Sequence, residues 1–394
     1  MRKQLIILLF FIVHTASAQL SSFDYNGYAK YLFSTSKIPR IDDRLNDNLI
    51  HLRLNTKWYA TENLTAALEI RFRAFYGESV EKIPSYSELI QTQHEFAELD
   101  AVIWESETSI GYLEADRFYV DYHKDNFQIT LGRQRVAWGT CWVWNPTDLF
   151  NPQNVLNFDY EELPATDAVR LQYYTGPVTK IDLTYQPAID PDNQILAGLW
   201  SFNQWNYDIN LIAGMRFKRW LSGLSWTGDI LDAGFRGEVL VTQAPDKPDT
   251  NSLYQQIGES LLSSWDKPIV SVALSADYTF PNTFYIHTEI LYNNNGKTSN
   301  TLLFQEEALS LGMLSAARWS LYQEFSYDVT PLLRGTIYGI FNPDDKSFVI
   351  VPSINYSVVT NLDLYLISLF FEGDTLTQYG EYGTAFYARI KFSF

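Results

Sequence analysis

The sequence predicts an all-β fold: a single transmembrane antiparallel β-barrel of 18 strands, with 16 as the alternative count. Three observations point there. Apolar and polar residues alternate with period two in many segments of about ten residues. Aromatic residues make up 16% of the chain. No stretch after residue 18 is apolar and long enough to cross a bilayer as a helix.

The N-terminus comes first. Arg2 and Lys3 precede the apolar run Leu5 to Val13, which leads to the small-residue signature Ala16-Ser17-Ala18. This is the pattern of an export leader, residues 1–18, cut before Gln19. The run is well short of the ~20 residues that a spanning helix needs. Residues 19–394 are then expected to form one domain, since no composition shift divides them.

Loss of the leader removes two basic residues and no acidic ones, leaving 27 Lys and Arg against 46 Asp and Glu, a net charge near −19. That balance argues against nucleic acid as a partner. Cys141 is the only cysteine, which rules out an intramolecular disulfide and a cysteine-rich metal site. An exported, acidic, aromatic-rich chain without spanning helices matches a bacterial outer-membrane barrel.

The strands follow in order. Ile50, Leu52, Leu54 and Trp58 alternate with His51, Arg53, Asn55 and Lys57, and Leu68, Ile70 and Phe72 with Glu69, Arg71 and Arg73. Phe118, Val120 and Tyr122 interleave with Arg117, Tyr119 and Asp121, and Ile181, Leu183 and Tyr185 with Lys180, Asp182 and Thr184. Val270, Val272 and Leu274 face away from Ser271, Ser275 and Asp277, and Phe284, Ile286 and Ile290 from His287 and Glu289. In the last segment Phe386, Ala388, Ile390, Phe392 and Phe394 point one way, and Tyr387, Arg389, Lys391 and Ser393 the other.

Connections alternate in length. Short turns are read at 60–63, 124–126, 176–177, 281–282 and 360–361, and long stretches at 77–112, 139–164, 243–266 and 295–315. Short turns facing the periplasm and long loops facing the exterior are the outer-membrane pattern. With both termini periplasmic the strand number must be even. The clear segments number seventeen, and the weaker strand "QILAGLWSFN" near 194–203 restores parity at eighteen, wide enough for an aqueous channel.

The alternation also assigns faces. Arg53, Lys57, Arg71, Arg73, Arg117, Arg170 and Lys180 are expected to face the lumen, opposed in that half by Glu69, Asp121 and Asp182. Cross-strand pairing would make these charges a rigid wall; unpaired arginines along a pore would make an anion-attracting field. The acidic excess lies in the connections: the stretch 77–116 carries Glu78, Glu81, Glu88, Glu95, Glu98, Asp100, Glu105, Glu107, Glu114 and Asp116. These either solvate the exterior or fold inward against the basic wall.

Catalytic signals are thin. The four histidines after the leader, His51, His94, His123 and His287, have no ligand spacing, and the Asp190–Asn193 and Asn342–Asp345 runs read as Asx and proline turns. No nucleophile elbow, phosphate loop or dinucleotide fingerprint is present. No metal, cofactor or catalytic residue is assigned.

The segments "EADRFYVDYHKDNFQITLGRQRVAWG" and "NPTDLFNPQNVLNFDYEELPATDAVRLQYY", with "FVIVPSINYSVVTNLDLYL" as a weaker piece, carry a family likeness. They resemble the porin-like outer-membrane barrels of Gram-negative bacteria that include alginate-export channels, closest to the kind found in Bacteroidetes. The Gly-Arg-Gln-Arg-x-x-Trp-Gly core at 132–139 is the most specific part. The resemblance implies a passive conduit, for acidic polysaccharide in some relatives and small anions or hydrophobic solutes in others, with no catalytic residues. The chain's end on a strand closing in Phe394 resembles the signal read by the barrel assembly machinery.

The leading functional expectation is a channel for anionic or glycan-type solutes. Arg53, Arg71, Arg73, Arg117, Arg133, Arg135, Arg170 and Lys180 would form its wall, and the loop at 139–163 would narrow it with Trp142, Trp144, Asp148, Asp159, Glu161 and Glu162. Outer-membrane lipid and lipopolysaccharide would surround it. A closed surface barrel that binds glycans or assists envelope assembly is the alternative, and a barrel-embedded hydrolase a remote one. Unbroken alternation from Phe127, Ile129 and Leu131 would aim Arg133 and Arg135 at lipid, where each costs about 2–4 kcal/mol near the midplane. A bulge at Gly132 is therefore expected, shifting the phase and turning both inward. Beyond Gly139 the pairs Asn145-Pro146 and Asn151-Pro152 suit starts of short helical turns.

Overall fold

A computed structural model of the chain describes residues 22–39, 43–91, 96–151, 156–157, 159, 161–244 and 267–394. The leader read at 1–18 lies outside them. The first six strands are β1 (Phe23–Lys37), β2 (Leu45–Thr61), β3 (Leu64–Gly77), β4 (Asp100–Glu105), β5 (Ser109–Lys124) and β6 (Phe127–Gln134). Next come β7 (Thr166–Gly176), β8 (Thr179–Gln186), β9 (Ile195–Gln204), β10 (Tyr207–Arg216), β11 (Arg219–Ile230), β12 (Ala233–Thr242) and β13 (Ile269–Thr279). The last are β14 (Tyr285–Asn293), β15 (Trp319–Thr330), β16 (Leu333–Asn342), β17 (Ser347–Val359), β18 (Leu362–Glu372) and β19 (Thr384–Ser393).

Each spanning strand pairs antiparallel with its neighbours, and β1 pairs with both β2 and β19, so the sheet closes into an 18-stranded barrel. Closure leaves no spanning edge to hydrogen-bond with lipid. The weak segment near 194–203 is a full strand, β9. The short β4 stands outside the ring and pairs only with the upper part of β5, from Ile110 to Glu114, beyond the point where β6 leaves it.

The two faces differ as lipid and water demand. Leu52, Leu54, Phe118, Val120, Leu131, Ile181, Leu183, Ile390 and Phe392 are exposed on the outside, a band of apolar surface that only a bilayer would cover. Their inward neighbours His51, Arg53, Thr130, Asp182, Thr184 and Arg389 are buried. The connections at 62–63, 125–126, 177–178, 205–206, 231–232, 331–332 and 360–361 lie at the end that holds Phe23 and Phe394, where Gly27 and Phe394 exchange two 3.0 Å backbone hydrogen bonds. The described residues of the connections that follow β3, β6, β12 and β14 lie at the other end.

Candidate functional site in the barrel lumen

The site begins where β6 leaves the wall. Gly132 has φ of +112°, and a Cβ there would stand 2.3 Å from the Phe118 carbonyl oxygen, so no other residue fits without movement. The register nevertheless runs unbroken through Gly132 on both sides, opposite Tyr119 and Ala168. The bulge expected at Gly132 is not there. A bulge sits one strand away, at Asp116 of β5, opposite the step from Glu69 to Ile70.

This corrects the assignment of Arg133. It stays in phase with Leu131, which is 46% exposed on the outer face, and its cross-strand partner Asp167 stays in phase with the exposed Val169. Arg133 is nonetheless only 1% exposed. Its Nε donates to Asp167 Oδ1 at 3.0 Å and its Nη2 to the Ala97 carbonyl, while the Ala97 N–H reaches Asp167 Oδ2 at 3.0 Å. The chain just before β4 thus caps the ion pair, which removes the cost of a lipid-facing charge without a phase shift, and Arg133 leaves the basic wall. Arg135 lies beyond the strand end, turns inward with the loop and stands 3.4 Å from Asp148.

The described part of the loop that follows Gln134 then enters the lumen, held by its backbone. Glu238 of β12 accepts from Cys141 N and Thr147 N at 2.9 Å, from Thr140 N and from Thr147 Oγ1 at 2.7 Å. Glu289 of β14 accepts from Trp142 N at 3.2 Å, Val143 N at 3.2 Å and Trp144 N at 2.6 Å. Successive N–H groups aimed at one carboxylate form an anion-holding concavity, here filled by the wall itself. Apolar contacts reinforce it. Trp138 and Phe150 meet edge to face at 5.1 Å within a cluster with Ile195, Leu199, Ile212 and Leu240. Cys141, Val143 and Trp144 pack against Leu291, Tyr322, Ile340 and Val349.

The loop's far limb returns along β19, β1 and β2. Asp159 lies 3.1 Å from Lys30 Nζ and 3.0 Å from His51 Nδ1, Glu161 lies 3.1 Å from Arg389 Nη2, and Glu162 accepts from the Tyr28 hydroxyl at 3.0 Å. Burial pushes the Asp159 carboxyl up, but the hydrogen bond from His51 and the Lys30 charge outweigh it and hold Asp159 below the usual carboxylate range. Asp148 behaves oppositely. Burial dominates over the Arg135 charge and raises its carboxyl to about 7.

The expected wall residues Arg53, Arg71, Arg73, Arg117, Arg170 and Lys180 sit at inward positions, and most are answered. Arg53 pairs with Glu69 and with Asp116 at 2.6 Å, Arg71 with Glu114 at 2.6 Å, Arg117 with Glu69 at 3.4 Å, and Arg170 with Asp182. Arg73 reaches Glu114 at 3.8 Å and the Ile90 carbonyl at 2.9 Å. Glu114 and Asp116, counted with the loop acids from sequence, are inward residues of β5. Around the β1, β2, β3, β5 and β19 arc, seven cations, Lys30, Arg53, Arg71, Arg73, Arg117, Arg389 and Lys391, meet six carboxylates, Glu69, Glu114, Asp116, Asp159, Glu161 and Glu162. That arc is a rigid, nearly neutral network rather than a strong field.

Below the loop the lining is richer in cations than in carboxylates, although Arg117, Arg135 and Arg170 also pair with Glu69, Asp148 and Asp182. A cavity of about 400 Å³ there is lined by Lys57, Arg117, Arg135 and Arg170 against Asp121. Against the loop itself, a second cavity of about 340 Å³ is lined by Arg135, Trp142, Asn145, Asp148 and Arg236. Trp142 is 59% exposed, with the Arg236 guanidinium 4.9 Å from its ring centre. Trp144 is buried and packs edge to face on Tyr322 at 6.5 Å. Sequence reasoning missed Lys30, Arg236, Glu238, Glu289 and Arg389 as site residues, although each stands at an inward position of an alternating strand.

No family model and no curated protein matches the chain. Its fold is similar to solved barrels. OccAB3 of Acinetobacter baumannii aligns at TM-score 0.56 and 11% identity, over 95% of this chain and 99% of that one. OccAB2 of the same organism aligns at 0.57 and 8%, over 95% and 98%, and OccK9 (OpdG) of Pseudomonas aeruginosa at 0.54 and 10%, over 95% and 97%. At such identities the likeness is one of fold.

Proposed function

We propose that the protein is a porin-like channel of the bacterial outer membrane that lets anionic or glycan-type solutes pass through a lumen narrowed by the loop at 139–163. One observation carries the reading: the loop is folded inside a closed barrel, and the cavity beneath it presents four cations against one carboxylate. The excess of cations over carboxylates in that lining, near a low-dielectric wall, concentrates anions. Support for the channel comes from the fold shared with outer-membrane porins. The half-exposed Trp142 face beside Arg236 favours ring-shaped, acidic solutes over bare ions, since an indole offers apolar contact and a guanidinium binds carboxylate. The Gly-Arg-Gln-Arg-x-x-Trp-Gly likeness to the alginate-export group agrees with such cargo. Lipopolysaccharide as the surrounding partner, and recognition of the strand ending in Phe394 by the assembly machinery, belong to the same proposal.

Planar-bilayer recordings under a salt gradient test it. The expected result is stable conductance with anion preference, which shifts toward cations when Lys57 and Arg135 are replaced by glutamate. Absence of conductance from folded protein, or a cation preference in the wild type, overturns the reading.

A further inference from the structure

At the end of the barrel away from the termini, β10 and β11 are joined only by Phe217 and Lys218, with φ of 54° and 58°. Arg216 and Arg219 flank this turn as cross-strand partners. Both point inward, Arg216 in phase with the buried Ile212 and Arg219 with the buried Leu221, while Met215 and Trp220 are exposed outside. Their guanidinium carbons lie 4.7 and 6.0 Å from the centre of the same Phe217 ring.

Two like charges on directly opposed cross-strand residues repel each other, and elsewhere in the wall such charges meet carboxylates. Here, among the described residues, Asp148 is the one carboxylate acting on Arg216, and none acts on Arg219. Arg219 is 8% exposed; its Nη2 donates to the Ser310 carbonyl at 3.3 Å, and its Nη1 has no hydrogen-bond partner among the described residues. The Nε of Arg216 is likewise buried and without a hydrogen-bond partner among the described residues. Buried charged donors without acceptors are costly, so two side by side call for an acceptor with charge of its own. The backbone at Gly312 also comes up to this pair: a Cβ there would stand 2.9 Å from Arg216 Nη1 and push the guanidinium aside.

We propose that Arg216 and Arg219 form a binding site for a tetrahedral dianionic oxyanion, a phosphate or sulfate group, at the mouth of the lumen. Two guanidinium forks supply two charges and donors in several directions, which a tetrahedral dianion satisfies more fully than a planar monoanionic carboxylate. The group is either part of a solute entering the channel or the phosphate of a surrounding lipid. The role in passage rests on the channel reading; the binding does not.

The test is titration calorimetry of the full barrel, freed of lipopolysaccharide and held in detergent, with inorganic phosphate as the probe. Wild-type protein is expected to bind phosphate saturably at one site, with acetate at least tenfold weaker. R216Q and R219Q are each expected to weaken phosphate binding at least tenfold. R334Q, which removes an arginine paired to Asp328 at the opposite end, is expected to bind as the wild type does. Heat-dependent gel mobility confirms that each variant is folded. No saturable phosphate binding by folded wild type, or unchanged binding in the R216Q/R219Q double variant, overturns the site. Phosphate-dependent block of bilayer conductance that vanishes in the double variant assigns the group to a solute. Loss of co-purified lipopolysaccharide in the double variant, without such block, assigns it to lipid. A conducting channel without phosphate binding sinks this site alone, and a phosphate-binding barrel without conductance sinks the channel reading alone.

Discussion

The loop that narrows the lumen is fastened by two wall carboxylates, and replacing them as Glu238→Gln and Glu289→Gln should loosen it. Glu238 accepts from three loop N–H groups and two hydroxyls, Glu289 from three N–H groups. Hydrogen bonds to a charged acceptor contribute about 1.5–3 kcal/mol each and neutral ones about 0.5–1.5. An amide also turns one acceptor oxygen into a donor that faces N–H groups, leaving at least one pair in conflict. Against this, glutamine avoids part of the desolvation that a buried carboxylate suffers. The net loss is about 1–3 kcal/mol per site, so the double variant should raise the population of a displaced loop by roughly thirtyfold to twenty-thousandfold. The assay is single-channel recording together with limited chymotrypsin digestion at Trp142 and Trp144. Expected are new, larger conductance levels and faster cleavage in E238Q/E289Q, with intermediate behaviour in each single variant. If the double variant keeps the wild-type conductance and protease resistance, the two carboxylates do not hold the loop and the argument fails.

Three further predictions follow from particular residues. Arg133→Gln should leave ion preference unchanged, because the side chain is outside the lumen, yet lower thermal stability by about 3–5 kcal/mol through the orphaned Asp167; a changed reversal potential would return Arg133 to the wall. Asp148, raised to about 7 by burial, binds its proton more tightly in the folded barrel than in the unfolded chain. Its contribution to stability is therefore full below about pH 4 and is lost as pH rises through about 7, by roughly 4 kcal/mol at most. Above that range the carboxylate neutralises Arg135, so anion preference should be stronger at pH 5.5 than at pH 8, taken as roughly one unit or more to either side of the raised value; in Asp148→Asn both dependences should flatten, as reversal potentials and melting curves at the two pH values would show. Gly132→Ala forces a side chain into φ of +112° and against the Phe118 carbonyl, and should cost about 1–3 kcal/mol in thermal unfolding; an unaltered melting temperature would contradict that geometry.

Some of the site was legible from sequence because its cause is local. A strand exposed to lipid on one face and water on the other must alternate, so His51, Arg53, Arg71, Arg73, Asp121, Asp182 and Glu289 announce their side without reference to any neighbour. The same rhythm, with the requirement of an even strand number, exposed β9 even though "ILAGLWSFNQ" is nearly continuous in apolar residues. The strand end expected at Gly139 lies five residues too late, since β6 stops at Gln134, and the described Asn145-Pro146 pair starts no helix.

The phase at Arg133 could not be read this way. An arginine out of step is resolved either by shifting the strand or by covering the charge, and both leave the same local sequence. The cover comes from Ala97, Asp167 and the start of β4, which lie far off in the chain. The bulge at Asp116 was hidden for the same reason, since it shows only in pairing with β3. By itself the sequence determined a closed lipid-spanning barrel and most of its faces, because each follows from solvent contact residue by residue, while it left sixteen strands open beside the eighteen that the pairing shows. The tertiary structure alone decided which charges cancel, that the loop hangs on Glu238 and Glu289, and that Arg216 and Arg219 stand without a carboxylate ion pair among the described residues. Those outcomes depend on distances between strands remote in sequence, and electrostatic and hydrogen-bond energies are set by such distances.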